Sequence, residues 1–339
     1  MGSKIVKSQL YYIRSKSRPT LPNNTNELTL TDEFVLTNDN NRFLLFDSMD
    51  EDRMVCFCSD TGLEILAACE WWYADATFSA CPKIYYQLFG LHGWFNNTML
   101  MLMKRKNYDA YRKFLDLLRT HAFKLHPTLR LNPIKITTDY EIAMIRAFEF
   151  TFPRIQVIGC WFHYTQCITH KCNNAGFKLR LMTDSNFKLW VDKLYSLALV
   201  PIHIIPQAIE VIEKSIPDGA QPIYDYFKDN WLNRPLESWN HSTNKGPKTN
   251  NHLEGFHCKL NRNLGAAHPN IYKLIRFFKT TEANVSVDFA TIKLKRVESL
   301  KPRKNKNINR EIQFNYIIQD LLENKISIED FFNQFSLIK

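Results

Sequence analysis

The sequence predicts an α/β fold: a mixed sheet in the order βββ-α-β-α-β, with an all-helical insertion before its last helices. Three observations predict it. Residues 73–103 hold three closely spaced runs of aromatic and long apolar side chains, the pattern of an antiparallel meander. Residues 108–159 alternate between the apolar period of a helix and short β-rich runs. From 161 to 232 only the helical period remains.

Taken in order, residues 1–41 are polar and irregular, with Pro19, Pro22 and an Asn-rich stretch, and read as a weakly ordered lead-in. Two short apolar runs, 42–47 and 54–58, flank a polar turn and predict a hairpin, and 63–69 reads as a short helix or a connector. Strands follow at 73–78, 85–95 and 98–103. A helix over 108–125 carries Tyr111, Phe114, Leu115, Leu118 and Ala122 on one face. A fourth strand (133–137), a helix (140–151, ended by Pro153) and a fifth strand (154–159) close the alternation. The sheet domain thus spans 42–160 in its first part and the helical insertion 161–248. Closing helices span 249–290, and 291–339 is a basic segment with one amphipathic helix, about 312–322, and a short tail.

Composition narrows the class. At 45% hydrophobic and 13% aromatic, the 339-residue chain can bury a large core. Its 44 basic against 34 acidic residues give a net charge of +10, which favours an anionic partner, nucleic acid first. The N-terminus shows no apolar signal segment and no run long enough to span a membrane, so an intracellular protein with its eight cysteines reduced is expected.

Three acids stand in unlike settings. Asp75 lies in the aromatic strand Trp71-Trp72-Tyr73-Ala74-Asp75, Asp139 where the fourth strand ends, and Glu254 at a helix start after Thr249-Asn250-Asn251. Singly each has an ordinary explanation: a turn residue, an N-cap for the helix after Asp139, an acid complementing a helix dipole. Together they suit hard divalent cations, which take oxygen ligands and can clamp both oxygens of a phosphodiester exchange. Two strand carboxylates and one on a helix beyond an insertion is the layout of a ribonuclease H-like fold.

A set of short motifs in fixed order carries a more specific resemblance. Asp75-Ala76-Thr77-Phe78, Thr138-Asp139-Tyr140-Glu141, Gly159-Cys160-x-Phe162-His163, Thr249-Asn250-Asn251-x-x-Glu254-Gly255-x-His257 and His268-Pro269 together resemble the transposase domain of Mutator-like elements, over about 42–290. The resemblance implies a DDE-type transposase that cleaves and joins DNA strands by two-metal chemistry. Asp75, Asp139 and Glu254 are then its catalytic, metal-binding triad. Mg²⁺ is the expected ion, with Mn²⁺ the alternative. It further implies DNA as partner, at element ends and target, a homo-oligomer and a nuclear location.

Cys160, His163, Cys167, His170 and Cys172 crowd into one short stretch. On a helix the outer members of the stripe 160, 163, 167 and 170 would lie about 15 Å apart, too far for one tetrahedral zinc. A core-facing helix with small cysteines is expected instead. Within it Cys160-x-x-His163 matches the family's Cys-x-x-His signature, and the resemblance implies a place near the active site. Lys248, Asn250 and Asn251 are candidate phosphate contacts at a helix N-terminus, and His257 shares the face of Glu254. Lys104-Arg105-Lys106 and the run 301–306 are further candidate phosphate contacts, the latter also a candidate nuclear signal. Trp161, Trp231 and Trp239 are weighed as stacking platforms for flipped bases against the commoner role of core packing.

Many relatives carry an N-terminal zinc finger that reads the terminal repeats, and the stretch before Asp75 holds no Cys-Cys-His-His pattern. The alternative expectation is therefore a host-adopted or decayed derivative that binds DNA or protein without cutting. A zinc-binding regulator built on the Cys-His stretch is the third.

Overall fold

The computed structural model describes residues 19–93, 97–244, 248, 251–295 and 305–338. Seven strands form one mixed sheet in the order β1-β2-β5-β4-β3-β6-β7. β1 (Leu44–Asp47) and β2 (Val55–Phe57) are the predicted hairpin, and β2 extends the sheet by pairing with β5. β3 (Trp71–Thr77), β4 (Gln87–His92) and β5 (Asn97–Met103) are the expected antiparallel meander. β6 (Lys135–Thr138) lies parallel beside β3, and β7 (Gln156–Gly159) parallel beside β6.

Alternation along the strands splits the sheet into two faces. Trp72, Ala74, Phe89, Leu91, Met101 and Ile136 pack against α2 (Asp60–Ala68), α3 (Tyr108–Leu125) and α4 (Ile142–Thr151). The opposite face carries Val55, Phe57, Leu88, Leu100 and Leu102. It is covered by α10 (Asn251–Leu264), α11 (Ile271–Lys295) and a segment that the sequence reads as irregular. That segment contains the one-turn α1 (Asp32–Val35) and buries Leu28 and Phe34, the latter against the ring of Tyr272 at 4.7 Å.

The insertion is helical, as expected: α5 (Trp161–Asn174), α6 (Lys178–Thr183), α7 (Ser185–Ser196), α8 (Ile205–Glu213) and α9 (Gln221–Phe227). It has its own core around Tyr164, Trp190, Leu194, Phe227 and Trp239. The C-terminal region differs from the reading. The helix expected near 312 begins earlier, as α12 (Asn305–Leu322), and the supposed tail is a second helix, α13 (Ile328–Ile338). α13 buries Phe331, Phe332 and Phe335 completely in the insertion's core. Its three buried phenylalanines fall within five residues, too short a stretch for helical periodicity to separate from a loop anchor.

No disulfide joins the described cysteines. Among the described residues no helix is long and apolar enough to cross a membrane.

Candidate active site

The parallel pairing of β3 and β6 brings two of the three acids together. Trp71, Trp72 and Tyr73 pair with Lys135, Ile136 and Thr137, and continuing that register sets Asp75 opposite Asp139, one residue beyond β6. Adjacent strands lie about 4.8 Å apart, so the two carboxylates start from neighbouring backbone positions. Asp75 also pairs with Gly90 in β4. It therefore lies on the sheet face that carries Leu88 and is covered by α10.

Asp75 is buried, 5% exposed. Its Oδ1 accepts a hydrogen bond from the Ala76 amide, and its Oδ2 lies 3.6 Å from Nδ1 of His257, on α10. Burial, with the charge of His163 adding, pushes His257 down to about 4, so its imidazole is neutral at physiological pH. Glu254 sits one turn earlier on α10; the side chains of Glu254 and Asn251, and Asn250 altogether, lie outside the described residues.

Asp139 does not cap the helix that follows. Its Oδ1 accepts from the amide of Glu141 at 3.1 Å, an Asx turn, and the N-cap of α4 is Glu141, with no side-chain bond. The turn starts the helix at Ile142 and leaves the Asp139 carboxylate at the strand end rather than folded over a helix N-terminus. Glu141 is raised above the usual carboxylate range, by burial first and then by Asp139, with Lys106 opposing.

His163 joins this group from α5. Burial lowers it, against the pull of the Asp139 carboxylate, and its Nδ1 is buried with no hydrogen-bond partner. Cys160, at the N-cap, is fully buried. The face of α5 that points into the core is Tyr164, Ile168 and Cys172, offset by one residue from the expected stripe. His163 and Cys167 are only half-buried and His170 is exposed, so the stripe borders the site rather than filling the core. Among the described residues no three His, Cys, Asp or Glu side chains are grouped to hold a metal ion.

No family model and no curated protein matches this chain.

The loop returning from the insertion is braced onto the site. The Trp161 amide, in the first turn of α5, donates to the carbonyl of Lys248, whose ammonium donates to the Asn244 carbonyl at 3.2 Å. Nε2 of His241 lies 3.0 Å from the Gly159 carbonyl, at the end of β7, and Asn244 donates to its Nδ1 at 3.2 Å. His241 is a positioning residue that sequence reasoning missed, because its partner is distant in the chain. On the other side, the His268 amide donates to the Ser79 carbonyl at 2.7 Å, tying the corner between α10 and α11 to the segment after β3.

The three tryptophans are not stacking platforms. Trp231 and Trp239 are buried at 2% and 0% exposure, and Trp161 donates its Nε1–H to the Tyr195 carbonyl while its ring meets Phe314 and Phe335. Large rings of this kind build the insertion's core. In the basic run, Lys104 is bound to the Glu51 carbonyl and Arg105 to Asp52, which leaves Lys106 facing outward. Most of the 301–306 run lies outside the described residues.

Proposed function

We propose that this chain is a DDE-type DNA transposase of the Mutator-like class on a ribonuclease H-like fold, cutting and joining phosphodiesters with divalent metal. The observation that carries the reading is the parallel register of β3 and β6, which, continued past Tyr73↔Thr137, sets Asp75 level with Asp139, together with the contact of Asp75 with His257 on the helix that bears Glu254.

The donor set fits a hard cation. Asp75 and Asp139 offer carboxylate oxygens, and the unpartnered Nδ1 of His163 borders them. Asp75, Asp139 and Glu254 would hold Mg²⁺ or Mn²⁺, which when bound lowers the pKa of a coordinated water and stabilises a leaving oxygen. The rest is the chain's own work. The Glu141 amide fixes Oδ1 of Asp139 in an Asx turn, which holds the carboxylate in place. The neutral His257 packs against Asp75 without neutralising its charge, so the carboxylate keeps its affinity for a cation. The helices over the sheet keep Asp75 largely dry, which strengthens its hold on a positive ion.

Purified chain with Mg²⁺ should nick duplex DNA carrying the sequences that flank its gene. Asp139→Asn should lower that activity by a factor of about 10³ or more, since it removes a shared metal ligand. Undiminished cleavage by that variant would overturn the assignment.

A further inference from the structure

Three strands meet the same edge of the sheet. The pairs Thr77↔Leu88 and Gln87↔Met103 put the end of β3, the start of β4 and the end of β5 side by side. Asp75 lies just inside this edge and Asp139 just past the neighbouring end of β6. Immediately beyond it stand two aromatic rings that the fold leaves in water. Phe78 is 44% exposed and Tyr86 50%, with ring centroids 5.4 Å apart and planes at 73°. Nζ of Lys106 sits 5.4 Å from the Phe78 centroid, within cation–π range. Lys106 is exposed and feels the charge of Glu141, the neighbour of Asp139.

Single exposed aromatics are common and need no explanation. Here three properties coincide: a pre-set pair of rings, a cation resting on one of them, and a position beside the acidic centre. The adjoining Lys104 and Arg105 are engaged by Glu51 and Asp52, whereas Lys106 has no carboxylate in ion-pair range among the described residues. A flat ring takes the open aromatic face, and a phosphate suits the lysine. Nucleic acid supplies both in one repeating unit. Inside a duplex each base face is covered by its stacking neighbours, so only an unpaired base can use the site. Phe78 lies three residues beyond Asp75, about 10 Å of extended chain, the length of about three stacked nucleotides.

We infer that Phe78, Tyr86 and Lys106 form a stacking clamp for an unpaired DNA base close to the phosphodiester that Asp75 and Asp139 address. The clamp rests on the DNA reading above and adds a preference to it: the strand is held frayed at the point of reaction. It also takes over the role that the buried tryptophans cannot play.

The test is fluorescence anisotropy on the full chain without metal. The probes are labelled oligothymidylate of about twenty nucleotides, longer than one single-strand site, and a blunt duplex of equal length. The Phe78→Ala, Tyr86→Ala double variant should bind the single strand about tenfold or more weaker, the loss expected for one stacked base, with duplex binding little changed. Phe78→Trp and Tyr86→Phe should keep single-strand affinity. If the double variant melts early, Lys106→Gln carries the test. As an exposed surface change it should lower the salt slope of single-strand binding by about one. An unchanged single-strand affinity in the folded double variant, or an unchanged slope in Lys106→Gln, overturns the clamp and leaves the DNA reading standing. Wild-type protein that binds neither probe overturns both. Cleavage retained by Asp139→Asn overturns the catalytic assignment alone.

Discussion

Asp75 is a buried carboxylate with the imidazole of His257, pushed down to about 4 by burial, 3.6 Å from its Oδ2. A cation that binds the folded site and not the unfolded chain stabilises the fold by linkage. Melting in Mg²⁺ at about a hundred times its dissociation constant should therefore exceed melting in chelator by about 2.7 kcal/mol, and Asp75→Asn should erase that gain; equal gains in both proteins would count against the site. His241 makes a second expectation. Burial first, and the charge of Lys248 after it, lowers it to about 4. Its neutral form also satisfies both partners, donating from Nε2 to Gly159 and accepting at Nδ1 from Asn244. A folded pKa below the unfolded value means that the unfolded chain binds the extra proton between about 6.5 and 4. Stability should be complete above pH 6.5 and fall as pH drops toward 4, and His241→Gln should flatten that part of the curve of melting temperature against pH. Of these residues Asp75 and Asp139 stood out in the sequence, because Asp75 lies within the aromatic strand β3 and Asp139 directly follows the β-rich run of β6, where short-range pattern is strong. His241 did not, since nothing near it in the chain announces a bond to Gly159.

At the scale of elements, the decisive junctions are where strands become turns. A Cβ on Gly159 would come within 2.1 Å of Cε1 and 2.2 Å of Cζ of Tyr140, so the ring beside Asp139 lies directly on the bare backbone of β7. Trp231 also packs edge-on against the Tyr140 ring, with centroids 4.6 Å apart, which limits its freedom to shift. Gly159→Ala should cost about 1–3 kcal/mol of stability, as overpacking does, and should displace Asp139. A chemical-denaturation series and metal titration on this variant would check both effects, and a neutral result would mean that Tyr140 has room to move. The meander, the two βα alternations and the insertion were readable because their apolar periods run for many residues. Residues 19–41 and α13 were misread because a few buried aromatics on a short segment carry no period. The Asx turn at Asp139 escaped notice because capping and turning ask for the same residue type.

At the scale of the whole molecule, two cores flank one sheet and a third belongs to the insertion with α12 and α13. The third is fastened to α13 by Lys193, which is buried and bonds Glu329 at 2.7 Å, and by Ser336 on Asp192 at 3.1 Å. Phe335 is fully buried and stacks on Phe314 at 5.4 Å. Phe335→Ala should cost about 3–5 kcal/mol. Hydrogen exchange should show the loss first in amides of α5, α7 and α13 and last in β3 to β5; uniform loosening would mean that the cores unfold as one. The same fastening sets an order in time. During synthesis the strands and α5 to α9 emerge long before α13, yet the insertion cannot close its core until Phe331, Phe332 and Phe335 arrive. The helix that bears His163 and the loop that carries His241 both hang from that core, so the acidic centre takes its final shape only after α13 has been made. Until then the newborn chain carries the acids that this reading assigns to DNA cutting without the frame that aligns them.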